Sequence, residues 1–271
     1  MGEFRLPQHG EKMMAAPLTG LVNQQLIDDF SSRLAEFGLG RFYYTLLPNL
    51  FQKEKTLMDC DRSLDWKRFF NLKRMRYAVA SDEDILRYRE EYLQRFAHTD
   101  GNFRQGGFKP QWELLPCVWH DDGIPSRRLA GFRKLKQRHG FETRLVFYHV
   151  MPGREDIVGL CMLFSDKPAD ELETMLASSR QELAELIQAY SETFNALTFR
   201  SINPLANFGV LSPTCIQILA QVAEGFSSEE IGQQLFMTER GVNYHLDRAR
   251  QILAARNRTN LVSKAYQQGV L

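Results

Sequence analysis

Residues 228–246, SEEIGQQLFMTERGVNYHL, decide how the C-terminal part of this chain is read. Ser227 or Ser228 is placed to cap a short helix in which Ile231 and Leu235 lie one turn apart. Thr238 caps a second helix, whose Val242, Leu246, Ala249 and Leu253 form one apolar stripe at helical spacing. Upstream, a helix is expected over roughly 212–224, with Ser212 as N-cap, Pro213 in the first turn and Gly225 as the stop. Downstream, Thr259 is expected to start a fourth helix that Gly269 ends. The middle pair has the layout of a helix-turn-helix, in which one helix braces against the DNA backbone and its partner enters the major groove. The face opposite the stripe presents Glu239, Arg240, Asn243, Asp247 and Arg250; Ser228, Thr238, Tyr244 and Arg248 complete the expected DNA-contacting set. From pattern alone, a helical protein-interaction module is the competing reading.

Charge complicates the DNA reading. Over 211–271 six basic residues stand against five acidic ones. Affinity for DNA comes largely from neutralised phosphates, so a single copy should bind weakly and a dimer is expected. The whole chain, at 271 residues and net charge +1, is long enough for two domains, and its charge says nothing of partners. It has no apolar run of 18 residues, so no membrane span is expected. Residues 1–17 read as a flexible lead-in without a signal pattern, and a cytoplasmic location is expected. Cys60, Cys117, Cys161 and Cys215 lie far apart, without a C-x-x-C pair, and read as half-buried small hydrophobes rather than zinc ligands or disulfides. His98 with Asp100, and His120 with Asp121 and Asp122, lack a nucleophile or a metal-spaced partner. No enzymatic activity, metal or cofactor is expected.

Residues 18–200 mix two periods. Leu21, Leu26, Ile27, Phe30, Leu34 and Phe37 outline an amphipathic helix ended at Gly38. Segments 41–48, 74–81, 115–119, 143–150 and 157–164 are rich in β-branched and aromatic residues and read as strands, the last two joined by a hairpin turn at MPGRED. Helices are expected over 83–96 and 126–139. One long helix is expected over 168–199, with Leu172, Leu176, Leu183, Ile187, Tyr190, Phe194 and Leu197 inward. The expected fold is α+β: an N-terminal α/β/α sandwich on an antiparallel five-stranded sheet, then the four-helix module from 211 to 271. Residues 201–210, SINPLANFGV, read as the linker.

Residues 211–262 closely resemble the helix-turn-helix of LuxR-type transcription regulators. They keep Leu-Ser-Pro at 211–213, Ala-Glu-Gly at 223–225, Glu-Ile-Gly at 230–232, the Leu-Phe-Met-Thr turn at 235–238, Val242-x-x-His245-Leu246 and Asn257-Arg258-Thr259. Departures lie at Thr214-Cys215, at Gly241, and at Asn243 and Asp247, where relatives often carry cations. Asn can pair bidentately with adenine and Asp can accept from the cytosine amino group, so altered sequence preference is expected. The order of elements over 18–200 is similar to the autoinducer-binding domain of quorum-sensing receptors, with residues 50–72 as an insertion. The resemblance implies a polar-head site made by Tyr88, Tyr92 and Asp100 in YREEYLQRFAHTDG, with Trp119 nearby. Tyr88 stands where the family has Trp, and Gly101 where it has Pro. Arg144, in GFETR, replaces a family glycine, and such a cation is expected to fill or repolarise the cavity. The family implies a homodimer on an inverted-repeat promoter site in double-stranded DNA, in quorum-sensing or virulence control, with an acyl-homoserine lactone or related ligand. The departures suggest an orphan receptor that acts without one. The competing function is an interaction protein that sequesters related receptors in inactive heterodimers.

Overall fold

A computed structural model describes residues 22–49, 71–102, 115–151 and 153–271; the lead-in at 1–17, nearly all of the expected insertion and Cys60 fall outside them. Helix α1 (Gln24–Ala35) leads into β1 (Arg41–Pro48), β2 (Val79–Ala80) and α2 (Glu83–Arg95). Then come β3 (Cys117–Trp119), α3 (Ser126–Arg138), β4 (Thr143–Met151) and β5 (Arg154–Ser165). Helices α4 (Ala169–Leu176), α5 (Arg180–Ile202) and a single turn, α6 (Pro204–Asn207), follow. The module comprises α7 (Pro213–Ala223), α8 (Ser228–Leu235), α9 (Glu239–Ile252) and α10 (Arg258–Gln267).

The sheet runs β2-β1-β5-β4-β3, with every pairing antiparallel. Alternation along each strand sends side chains to two cores. Phe42, Tyr44, Leu46, Leu145, Phe147, Cys161 and Leu163 face α1, α4 and α5, whereas Tyr43, Leu47, Val146, Leu160, Met162 and Phe164 face α2 and α3. The α2–α3 core continues through Leu205, Phe208, Val210 and Leu211 into the C-terminal module. On the other face Tyr44 donates to Asn195 Oδ1 at 2.9 Å and stacks on His149, whose burial lowers its pKa to about 4. Gly159 makes room for that pair, since a Cβ there would lie 2.2 Å from His149 Nε2. Of the described cysteines, Cys161 and Cys215 are buried and Cys117 is exposed, so the half-buried expectation fails at each.

Three further expectations need correction. The single helix over 168–199 is two, α4 and α5, broken at Ala177–Ser179. Ser178 and Ser179 interrupt it, because serine favours local hydrogen bonding over the helix interior. Leu197 is 47% exposed, because the buried face of α5 runs through Leu183, Ile187, Ser191, Phe194, Thr198 and Ile202, two of them polar. The strand expected over 74–81 contracts to Val79–Ala80. Residues just before it are held by the side chain of Asn207 instead of by a neighbouring strand. Asn207 Oδ1 accepts from the amides of Arg76 (2.9 Å) and Tyr77 (2.7 Å), while Nδ2 donates to Tyr77 O (2.9 Å) and Thr45 Oγ1 (3.2 Å). The expected linker thus contains a buried polar clasp.

The module follows the expected caps closely. Ser212 accepts from Cys215 N, Ser227 and Glu230 form a capping box, and Thr238 accepts from Gly241 N. The fourth helix begins at Arg258, capped by Asn257, one position before the expected Thr259. Gly232 lets the turn close: a Cβ there would lie 2.7 Å from Met237 O. Val242, Leu246, Ala249 and Leu253 are buried with Ile231, Leu261 and Ala265. Leu261 and Ala265 of α10 therefore belong to the module's own core. The module is fastened to the sandwich by Asn203 Nδ2, which donates to Gln268 O at 2.6 Å, and by Arg154 Nη2, which donates to Gln268 Oε1 at 3.2 Å. Gly269 lies so close to Phe199 that a Cβ would fall 2.3 Å from its ring.

Replacing Asn207 with Ala removes four side-chain hydrogen bonds and leaves the Tyr77 amide without its acceptor. We expect a loss of about 2–4 kcal/mol in urea unfolding of the full chain, against about 1 kcal/mol or less for an exposed control such as Asn71→Ala. A loss no larger than the control's would show that the clasp is dispensable.

Candidate nucleic-acid interface and buried polar site

The recognition-helix face is built by exclusion. With Val242, Leu246 and Ala249 turned inward, Glu239, Arg240, Asn243, Tyr244, Asp247, Arg248 and Arg250 are all exposed. Tyr244 is 62% exposed, an aromatic ring standing among charges. Arg250 Nη2 lies 3.1 Å from Asp247 Oδ1, one turn away, so this cation is partly spent within its own helix. Asn243 Oδ1 accepts from Ser228 Oγ at 2.7 Å. Bidentate pairing of Asn243 with adenine would use the second lone pair of that oxygen together with the Nδ2 donor. Ser228, expected at the interface, is buried, and its hydroxyl also accepts from Arg258 Nη1 at 3.2 Å. Arg258 Nη2 donates to Phe226 O at 2.9 Å, which ties the start of α10 to the start of α8. Lys264 Nζ holds the end of α9 through Leu253 O (2.9 Å) and Ala254 O (2.8 Å), satisfying carbonyls that the helix leaves open. Arg240, Arg248 and Arg256 have no ion pair among the described residues and are the module's available cations.

One residue on this surface escaped the sequence reading. Phe236 is 98% exposed and takes φ of 54° in the turn between α8 and α9, a left-handed conformation that is uncommon for a non-glycine residue. Its only signal in the sequence is negative: it falls out of register with the Ile231–Leu235 face.

The second site lies between the sheet and α2–α3. Tyr92 donates to Asp100 Oδ2 at 2.6 Å, and Arg144 Nη2 donates to the same oxygen at 3.1 Å. The other carboxylate oxygen accepts from Asn102 N at 2.9 Å. Arg144 and Asp100 are 1% and 0% exposed. The guanidinium carbon sits 4.5 Å from the ring centre of Phe132, 5.0 Å from that of Tyr92 and 5.4 Å from that of Trp119. Burial disfavours its charge, but Tyr88, Tyr92 and Asp100 outweigh burial, so its pKa lies above the ordinary arginine value. Tyr88 stacks on Tyr92 with centroids 5.8 Å apart, and burial raises its phenol pKa above 10. All five residues expected in the polar-head site thus converge, and the residue substituted into it ties them together. Its position on β4, opposite Trp119 on β3, brings the cation there.

Among the described residues no helix is long and apolar enough to cross a membrane, and no group of three or more His, Cys, Asp or Glu gathers at metal-binding spacing. His120 begins a 3-10 turn, and Asp121 pairs with Lys136 Nζ at 2.8 Å.

Escherichia coli SdiA is a similar solved structure, covering 92% of this chain and 92% of its own at 17% identity, with a TM-score of 0.40. SdiA in complex with octanoyl-rac-glycerol shares 14% identity over 91% of this chain and 89% of that chain, with a TM-score of 0.41. The N-acylhomoserine lactone dependent LuxR family factor CepR2 from Burkholderia cenocepacia shares 16% identity over 62% of this chain and 84% of that chain, with a TM-score of 0.37. No curated protein matches the sequence. Residues 209–265, spanning the capped helices and the recognition face, match the GerE family, described as bacterial regulatory proteins, luxR family. The C-terminal module of this chain is a luxR-family domain.

Proposed function

We propose that the chain is a cytoplasmic transcription regulator that binds double-stranded promoter DNA as a homodimer on an inverted repeat, and that its sandwich works without an acyl-homoserine lactone. The luxR-family match of residues 209–265 supports the DNA-binding half. Two recognition helices on a two-fold axis would meet half-sites about one helical turn apart, ~34 Å. The ligand-independent half rests on one observation: Arg144 already occupies Asp100, the carboxylate to which a ligand's polar head would bind. Closing the site with an internal cation, inside an aromatic cage, removes both the partner and the space that such a head requires. The division into lead-in, sandwich (18–200), linker (201–210) and reader (211–271) belongs to the same proposal. Sequestration of related receptors is the second reading, favoured by the Asp247–Arg250 pair, which lowers the charge offered to DNA.

DNA affinity and its salt dependence separate these readings. If the module reads DNA, Arg240→Ala should weaken binding across all sequences and flatten the log K against log salt plot by about 0.9 for each subunit bound. Asp247→Asn should strengthen non-specific binding by releasing Arg250. Fluorescence anisotropy over a salt series measures both, and salt-independent or absent binding by the parent chain would leave sequestration in place.

Arg144→Ala should cost about 3–5 kcal/mol, because it leaves Asp100 buried and unpaired, and Arg144→Ala/Asp100→Asn should recover most of that loss. Thermal melting of the parent chain should not shift with octanoyl- or dodecanoyl-homoserine lactone. A saturable upward shift would overturn the ligand-independent reading.

A further inference from the structure

Among the described residues two arginines are completely buried, Arg144 and Arg89, and the fold treats them differently. Arg144 is given Asp100. Arg89, on α2, has no acidic partner within ion-pair distance among the described residues. Its Nη2 makes only long contacts to Met75 O (3.5 Å) and Tyr77 O (3.4 Å), and its Nε has no hydrogen-bond partner among them. The side chain lies 5.7 Å from the Tyr43 ring centre, and Tyr43's hydroxyl is equally unpartnered among the described residues. Burial lowers the guanidinium pKa to about 10. A buried charge without counter-charge is costly, and folds normally pair it.

Arg89 lines a cleft of about 300 Å³ together with Lys73, Arg74 and Arg76. None of these three has an ion pair among the described residues, and Glu90 is the single described acid on the wall. The far wall is Phe208 and Gly209, where the luxR-family domain begins. Arg76 is positioned by its own amide on Asn207 Oδ1 and O, so the clasp described above forms one side of the cleft.

We propose that this cleft is a binding site for a small phosphate-type oxyanion, inorganic phosphate or a phosphate monoester, at the seam between sandwich and reader. The anion supplies the counter-charge that Arg89 lacks, and Lys73, Arg74 and Arg76 draw it in. The site is separate from the Arg144–Asp100 pair. Because its walls include Phe208 and Gly209, in the segment that leads into the reader, occupancy ties that segment to the sandwich. That regulatory consequence rests on the DNA-binding reading; the binding itself does not.

The test titrates the full chain, without DNA, with inorganic phosphate and in parallel with ribose 5-phosphate. It follows ³¹P linewidth, with ionic strength held constant by sodium chloride. The expected result is saturable broadening in at least one arm; the tighter arm identifies the source. Arg74→Gln/Arg76→Gln should weaken binding by about tenfold, the scale of lost charge-assisted bonds. Arg127→Gln/Arg128→Gln, in the neighbouring basic cleft on α3, should change it by less than about twofold. Arg89→Met should raise the urea midpoint in phosphate-free buffer and abolish the phosphate response. The proposal is overturned if neither anion saturates, if both double variants lose binding equally, or if Arg89→Met lowers stability while keeping the response. A chain that binds DNA yet fails this titration loses only the anion site.

Discussion

The ion pair between Arg144 and Asp100 is the constraint around which the α2–α3 half of the sandwich is organised. A guanidinium out of water is strongly disfavoured unless charge and hydrogen bonds are supplied locally, and removing either partner is worse than never burying the pair. Asp100 therefore has to be presented at a fixed place, which the turn after α2 achieves through Tyr92 and the Asn102 amide. The rings of Phe132, Tyr92 and Trp119 then fill the space around the cation that a smaller residue would have left open. Strand β4, helix α3 and the turn at 100–102 are mutually positioned by this single contact.

Much of the architecture was legible because period and punctuation agreed. Residues 41–48 and 143–150 are rich in β-branched and aromatic residues and buried on both faces, and the module's caps at Ser212, Ser227 and Thr238 are local signals that need no tertiary knowledge. The failures share a physical cause: polar side chains doing structural work. Ser191 and Thr198 continue the buried face of α5, so an apolar-only stripe drifts to Leu197. Asn207 replaces a strand partner for residues 76–77, which no hydrophobic pattern encodes. Among the site residues, Tyr88, Tyr92, Asp100, Trp119 and Arg144 were readable through family spacing, but the bond between Arg144 and Asp100 was not. The two are 44 residues apart and meet only through the register of β3 and β4. Ser228 was misplaced for a related reason: a helix N-terminus looks available in sequence, yet Arg258 and Asn243 arrive from elsewhere to occupy its hydroxyl.

The charge of the reader is thus apportioned more finely than a residue count suggests. Arg258 and Lys264 serve as internal fasteners and Arg250 is partly neutralised, leaving Arg240, Arg248 and Arg256 for an external anion. A domain with so few available cations depends on geometry, since attraction alone holds it weakly.

The attachment of α10 determines what kind of geometry that is. Its beginning is bound to α8 through Arg258, and the residues just past its end are clamped by Asn203, Arg154 and the Phe199–Gly269 contact. The recognition helix is consequently indexed to the sheet instead of swinging on a tether. In an assembly of two such chains, the distance between readers becomes a property of how the sandwiches meet. Such a protein would tolerate changes in base sequence within a half-site more readily than the insertion of one base pair between half-sites.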